Sequence, residues 1–246
     1  MKKIKFSQTE FINLVISSIV IGFLFSFKLF SASFSTSILN WVGYSLLGLI
    51  ALLIYIIAQK LIAKRFNVDV EYRIWNIKKI WFTNDLNFKL PIGIILALIL
   101  IFLTNGVFIF LAVGSFAVIR THVAHKIGRI FPRLTDVELG KIAVVGPLTA
   151  IILVFIFTTL KLFNIDFGVF TTMNLLLALY NMIPLSHLDG LKVFIASRTL
   201  FVLTAIFLLA FAVLLTQGLN IFLVLILAVL TAVVLTIIYF YYREFR

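Results

Sequence analysis

The chain has 246 residues, of which 63% are hydrophobic and only 12% are charged. Soluble domains are nearer half apolar and a quarter charged, so this composition excludes an ordinary water-soluble fold and favours the lipid bilayer as partner. The net charge of +12 is scattered between apolar runs, which fits the positive-inside rule and not a nucleic-acid-binding face. The sequence has no cysteine, which excludes disulfides and cysteine-ligated zinc.

Apolar runs long enough to cross a membrane as helices, about 20 residues each, lie along most of the chain. They occupy 10–32, 38–63, 142–164, 168–186, 196–216 and 219–242. Glu10 opens the first run, and we expect it to be a first-turn carboxylate favoured by the helix dipole.

The apolar stretch 91–119 differs from these runs because Thr104-Asn105-Gly106, a turn signal, interrupts it. A re-entrant hairpin here would keep the basic segments on both sides of it on one face of the membrane. We therefore predict a single transmembrane domain, residues 1–246, in the cell membrane with both termini cytoplasmic. The alternating segment 66–75 predicts a short strand near the membrane surface, and 108–119 is a candidate second strand.

The stretch 181–190 reads N-x-x-P-x-x-x-L-D-G and carries Asn181, Pro184, Leu188, Asp189 and Gly190. A carboxylate within an apolar stretch is energetically costly and indicates a functional site. The pattern resembles the second signature of the site-2 protease family of intramembrane zinc metalloproteases, in which the aspartate ligates the catalytic zinc. The bland interpretation is a span that ends in a turn, with a solvated carboxylate as its cap.

The first signature of that family is H-E-x-x-H on a membrane helix, where two histidines hold zinc and the glutamate acts as general base. The flanking residues of this signature are similar here, including the segment 71–75, Glu-Tyr-Arg-Ile-Trp. Its chemical groups are not, because Tyr55 and Gln59 occupy the histidine positions and Ile56 occupies the glutamate position. The resemblance therefore implies a degenerate, archaeal-type member.

The histidines of the chain are His122, His125 and His187. His122 and His125 are three residues apart, so a helix would bring them together for a shared metal. The bland interpretation, exposed histidines in a basic loop, is favoured for this pair. His187 precedes Asp189 by two residues and is a candidate replacement ligand.

The resemblance implies an all-α membrane protein: a polytopic helical bundle with a three-helix core around an intramembrane cleft and a small membrane-associated β element. We predict a non-catalytic relative that needs no cofactor, although active members bind zinc. It would bind a transmembrane segment of a client protein through Asn181, Pro184, Leu188 and Gly190. One alternative is an active zinc metalloprotease with ligands relocated to His187, Asp189 and His122 or His125. A small transporter or channel, with a midplane site at the helix broken by Pro184, is a weaker alternative because the sequence contains no visible inverted repeat.

Overall fold

The computed structural model describes residues 6–27, 34–77, 90–121 and 134–244. The chain divides into two compact units, Met1–Leu134 and Thr135–Arg246. Five of the described helices are long and apolar enough to cross a membrane: Gln8–Ser26, Ser37–Arg65, Asp136–Leu160, Arg198–Thr216 and Ile221–Tyr242. Together with a two-stranded sheet, they confirm the predicted fold class, a helical membrane protein with a small β element. The single transmembrane domain stays a prediction.

The first unit contains α1 (Gln8–Ser26), α2 (Phe34–Arg65), β1 (Val68–Ile74), α3 (Ile92–Leu103) and β2 (Gly114–Thr121). Helices α1 and α2 approach each other closely because small residues lie between them. A side chain at Gly22 would collide with Ser45, and a Cβ atom at Gly48 would lie 3.1 Å from Ile21. Strand β1 of the sheet packs against both of these closely packed helices.

Helix α3 and the segment after it form a hairpin. The turn after α3 places Asn105 and Gly106 in the left-handed region, with φ of 49° and 77°. The Gly106 N–H then donates to the Ile101 carbonyl at 2.8 Å and ends the helix. The returning chain passes so close to α3 that a Cβ atom at Gly93 would collide with the Val113 carbonyl. Helix α3 has 12 residues and is therefore only about 18 Å long, too short to cross a bilayer. Entry of this hairpin into the membrane stays a prediction.

Strands β1 and β2 pair antiparallel, from Val68 opposite Thr121 to Ile74 opposite Gly114, with a bulge after Asp69. The strand predicted at 66–75 is therefore present. The second strand begins later than 108, because the residues before Gly114 form the return of the hairpin.

The second unit contains α4 (Asp136–Leu160), α5 (Gly168–Asn181), α6 (Asp189–Ala196), α7 (Arg198–Thr216) and α8 (Ile221–Glu244). A capping box starts α4: Thr135 Oγ1 accepts the Glu138 N–H at 3.3 Å, and the Glu138 carboxylate accepts the Thr135 N–H at 3.0 Å. Helix α6 packs on α4 where Gly140 faces Ala196, so closely that a side chain at Gly140 would collide with the Ala196 methyl group.

Helix α5 is shorter than the apolar run 168–186 that contains it. It has 14 residues and ends at Asn181. Pro184 explains this end, because proline disfavours helical backbone at the residue before it and supplies no N–H of its own. The loop that follows includes His187 in the left-handed region, with φ of 70°, before α6 begins at Asp189.

Candidate functional site

The residues that the resemblance would place at the H-E-x-x-H positions, Tyr55, Ile56 and Gln59, lie in the C-terminal half of α2. Tyr55 and Gln59 are one turn apart and therefore share a face of the helix. Both are buried, and Ile56 has no solvent exposure. This part of α2 presents a phenol, a hydrocarbon and an amide, none of which is an imidazole or a carboxylate.

Directly after Gln59, Lys60 forms a buried ion pair with Glu10 of α1. The Lys60 Nζ lies 2.7 Å from the Glu10 Oε2, and the two side chains are 7% and 0% exposed. The ammonium also lies 4.4 Å from the centroid of the Phe6 ring, a favourable position for a cation–π contact. These contacts join the start of α1 to the end of α2.

The same carboxylate holds strand β1 against α1. Its second oxygen, Oε1, accepts the Tyr72 N–H at 3.0 Å, and the Asn13 Nδ2 donates to the Tyr72 carbonyl at 3.4 Å. The Tyr72 hydroxyl lies 3.0 Å from the Ser17 Oγ. Side chains of α1 thus form hydrogen bonds with both the N–H and the carbonyl of Tyr72 in β1. On an open strand edge, a neighbouring strand would bind these groups instead.

The expected role of Glu10 as a first-turn carboxylate is therefore incomplete. Glu10 does lie in the first turn of α1, and its N–H is capped by the Ser7 Oγ at 3.1 Å. Its carboxylate, however, is fully buried and bonds to α2 and β1. A buried carboxylate needs a partner charge. The partner is Lys60, which local sequence patterns do not connect to Glu10 because the two residues are 50 positions apart.

In the second unit, Asp189 is the first residue of α6 and has no solvent exposure. Its Oδ1 lies 3.2 Å from the Lys192 Nζ, one turn along the same helix. The solvated cap of the bland interpretation is therefore wrong. Burial lowers the pKa of Lys192, and the charge and hydrogen bond of Asp189 oppose part of that decrease.

Gly190 fixes how α6 approaches the end of α5. A Cβ atom there would collide with the Met182 carbonyl group and lie 2.6 Å from the Ile183 carbonyl oxygen. Of the other signature residues, Asn181 and Leu188 are buried, with 1% and 0% exposure, whereas Pro184 is exposed. The signature residues therefore form a closely packed connection between α5 and α6, in which the Asp189 carboxylate and the Asn181 amide are buried and Pro184 is exposed.

The proposed replacement ligands are not brought together in the described part of the chain. His187 is exposed although it is two residues from the buried Asp189. His122 and His125 lie outside the described residues. Among the residues that the structure describes, no three histidine, aspartate or glutamate side chains are grouped so that they could hold a metal ion. Because a catalytic zinc takes three protein ligands, the described donors do not fit zinc.

Comparison with known proteins gives one informative similarity. The chain is 30% identical over 196 residues to the "Putative zinc metalloprotease MJ0611" of Methanocaldococcus jannaschii, an alignment that covers 77% of this chain and 85% of that protein. No protein-family model matches the chain, and no solved structure matches it.

Proposed function

The chain belongs to the family of this Methanocaldococcus jannaschii protein, and on that premise we propose that it is a non-catalytic, site-2-protease-like membrane protein that binds transmembrane segments of clients. Five apolar helices support an integral, multi-pass protein. The proposal places residues 1–246 in one transmembrane domain of the cell membrane, with both termini cytoplasmic. The basic segments between the apolar runs support this orientation.

The chemistry of α2 carries the proposal. Active family members need two imidazoles and a glutamate there, whereas this chain has Tyr55, Gln59 and Ile56, all buried. A phenol and an amide are not the nitrogen, sulfur or carboxylate ligands that zinc takes in proteins. Isoleucine cannot accept a proton from an attacking water. Loss of the whole set removes both the metal and the base.

The state of Asp189 supports the same conclusion. A buried carboxylate without a partner would be strongly destabilising, and in active members the zinc ion supplies the compensating charge. In this chain the Lys192 ammonium, 3.2 Å away, supplies it from the same helix. The carboxylate can therefore stay buried without a metal ion.

The signature loop supports retention of a binding role. Gly190 keeps α6 against the end of α5, and Asn181 places a buried amide at the same junction. We propose that Asn181, Pro184, Leu188 and Gly190 contact the client segment. Binding of this kind needs shape and hydrogen-bonding groups but no hydrolytic chemistry.

Metal analysis of the purified full-length chain by mass spectrometry tests the proposal. We expect zinc well below one ion per chain, unchanged by Asp189→Ala. The matched control is Asp166→Ala, the same exchange in the exposed loop before α5. One zinc ion per chain, lost in the Asp189 variant and kept in the Asp166 variant, would contradict the proposal.

A reconstituted transmembrane substrate separates this proposal from its alternative. We expect the substrate to be bound and recovered intact. Cleavage that is abolished by a chelator and by His125→Ala would instead identify an active metalloprotease with relocated ligands, namely His187, Asp189 and His122 or His125.

A further inference from the structure

Two exposed basic side chains lie at one end of the second unit, where α4 and α7 both start. Helix α6 ends at Ala196 just before α7, and Ala196 packs against Gly140 near the start of α4. Lys141 and Arg198 lie within two residues of this contact, and both are exposed. In the part of the chain that the structure describes, neither of them forms an ion pair.

Apolar side chains are exposed directly beside these charges. Phe194 and Ile195 of α6 are 38% and 60% exposed. The Arg198 guanidinium lies 5.9 Å from the centroid of the Phe194 ring, which packs edge-on against the ring of Phe201 on α7. A guanidinium held over a ring keeps its N–H groups, which lie in its own plane, available for another acceptor.

The acidic side chains nearby do not neutralise these two charges. Asp189 is buried, and its carboxylate pairs within α6. Asp136 and Glu138 lie in the first turn of α4, about 8 and 5 Å before Lys141 along the helix axis. The Glu138 carboxylate accepts a hydrogen bond in the capping box of that helix, and the first turn of α7 contains no acidic residue.

The position of the two basic side chains indicates what they bind. Helices α4 and α7 are long and apolar enough to cross a membrane, so their starts mark the headgroup level of one leaflet. We propose that Arg198 and Lys141 bind the headgroup of one anionic phospholipid, whose acyl chain packs on Phe194 and Ile195. A guanidinium can donate two parallel hydrogen bonds to a phosphate. A zwitterionic headgroup fits less well, because its own cation is repelled by the two basic side chains.

This site goes beyond the proposed function and does not depend on client binding. A ligand that binds only the folded state stabilises that state. The second unit is therefore more stable in a bilayer that contains anionic lipid than in a zwitterionic one.

Native mass spectrometry of the full-length chain, released from nanodiscs of equal phosphatidylcholine and phosphatidylglycerol, tests the site. We expect one phosphatidylglycerol per chain to be retained in preference to phosphatidylcholine. Arg198→Gln and Lys141→Gln should each weaken this retention about fivefold, the effect of one basic residue near an anionic surface. The control is Lys161→Gln, which removes an exposed lysine at the far end of α4 and should change nothing.

The melting temperature in nanodiscs is a second readout. It should rise when phosphatidylglycerol is added to phosphatidylcholine, and the rise should be smaller for Arg198→Gln, with Arg198→Lys intermediate because lysine keeps the charge but not the paired N–H groups. Equal weakening by all three glutamine variants would indicate general attraction between cations and anionic lipid and would overturn the inference. Equal retention of both lipids, or a second copy of the chain in place of the lipid, would overturn it as well.

Discussion

The buried ion pair between Glu10 and Lys60 offers the sharpest test of the first unit. Lys60→Met keeps the length and apolar stem of the side chain and removes its charge. The Glu10 carboxylate would keep the Tyr72 N–H as a donor but would lose the ammonium 2.7 Å away, in a position with no solvent exposure. Breaking a buried pair by removing one partner costs about 3–5 kcal/mol, and the retained hydrogen bond places our expectation near 3 kcal/mol.

The double variant Glu10→Gln, Lys60→Met separates the lost charge from lost packing. A glutamine oxygen still accepts the Tyr72 N–H, and no charge remains buried, so we expect the double variant to be more stable than Lys60→Met alone. Glu10→Gln alone should be intermediate. Its lysine keeps the contact with the Phe6 ring and can move its flexible stem toward water.

Thermal unfolding in detergent micelles, analysed as a double-mutant cycle, measures these differences. The control is Arg73→Met, which removes a pair between Arg73 and Glu71 that is longer, at 3.7 Å, and whose arginine is 56% exposed. Exposed pairs contribute about 0.2–1 kcal/mol at most, so this control should hardly change the melting temperature. Lys60→Met that destabilises no more than the control, or a double variant that recovers no stability, would refute a stabilising role for the Glu10–Lys60 pair.

Two further variants test the second unit and the resemblance. Gly190→Ala should destabilise the chain by about 1–3 kcal/mol and abolish client binding, because the new methyl group collides with backbone carbonyls at the end of α5. Gly43→Ala, where a Cβ atom meets nothing within 4 Å, is the control for melting temperature. The quadruple variant Tyr55→His, Ile56→Glu, Gln59→His, Lys192→Met also removes the ammonium beside Asp189. It should acquire one zinc ion per chain if these positions form the family's metal site. Metal content no higher than in the parent chain would refute that alignment.

The fold was largely predictable because lipid-facing helices need long apolar runs, and these are visible in the sequence without any tertiary information. The turn after α3 was also visible, because Asn105 and Gly106 tolerate the left-handed backbone that the turn requires. The end of α5 was harder to place. The run 168–186 stays apolar past the helix, and only Pro184 indicates the break.

The candidate site was predictable only in part. Asp189 and Gly190 stand out because a carboxylate and a glycine interrupt apolar sequence. The pairing of Glu10 with Lys60 was not predictable, since no local pattern connects residues 50 apart on different helices. The proposed headgroup site was not predictable either, because it depends on the contact between α4 and α6.

In the described part of the chain, the buried carboxylates of Glu10 and Asp189 each face a lysine ammonium from within their own unit. This arrangement changes what a metal ion would do at Asp189. A zinc ion bound to this carboxylate would stand close to the Lys192 ammonium, and like charges at such distances repel strongly in a medium of low dielectric constant. Metal binding would therefore require Lys192 to move or to lose its proton, whereas the metal-free chain satisfies the carboxylate without either change. A junction that is already charge-balanced keeps its shape without a metal ion, which is what the proposed non-catalytic role requires of it.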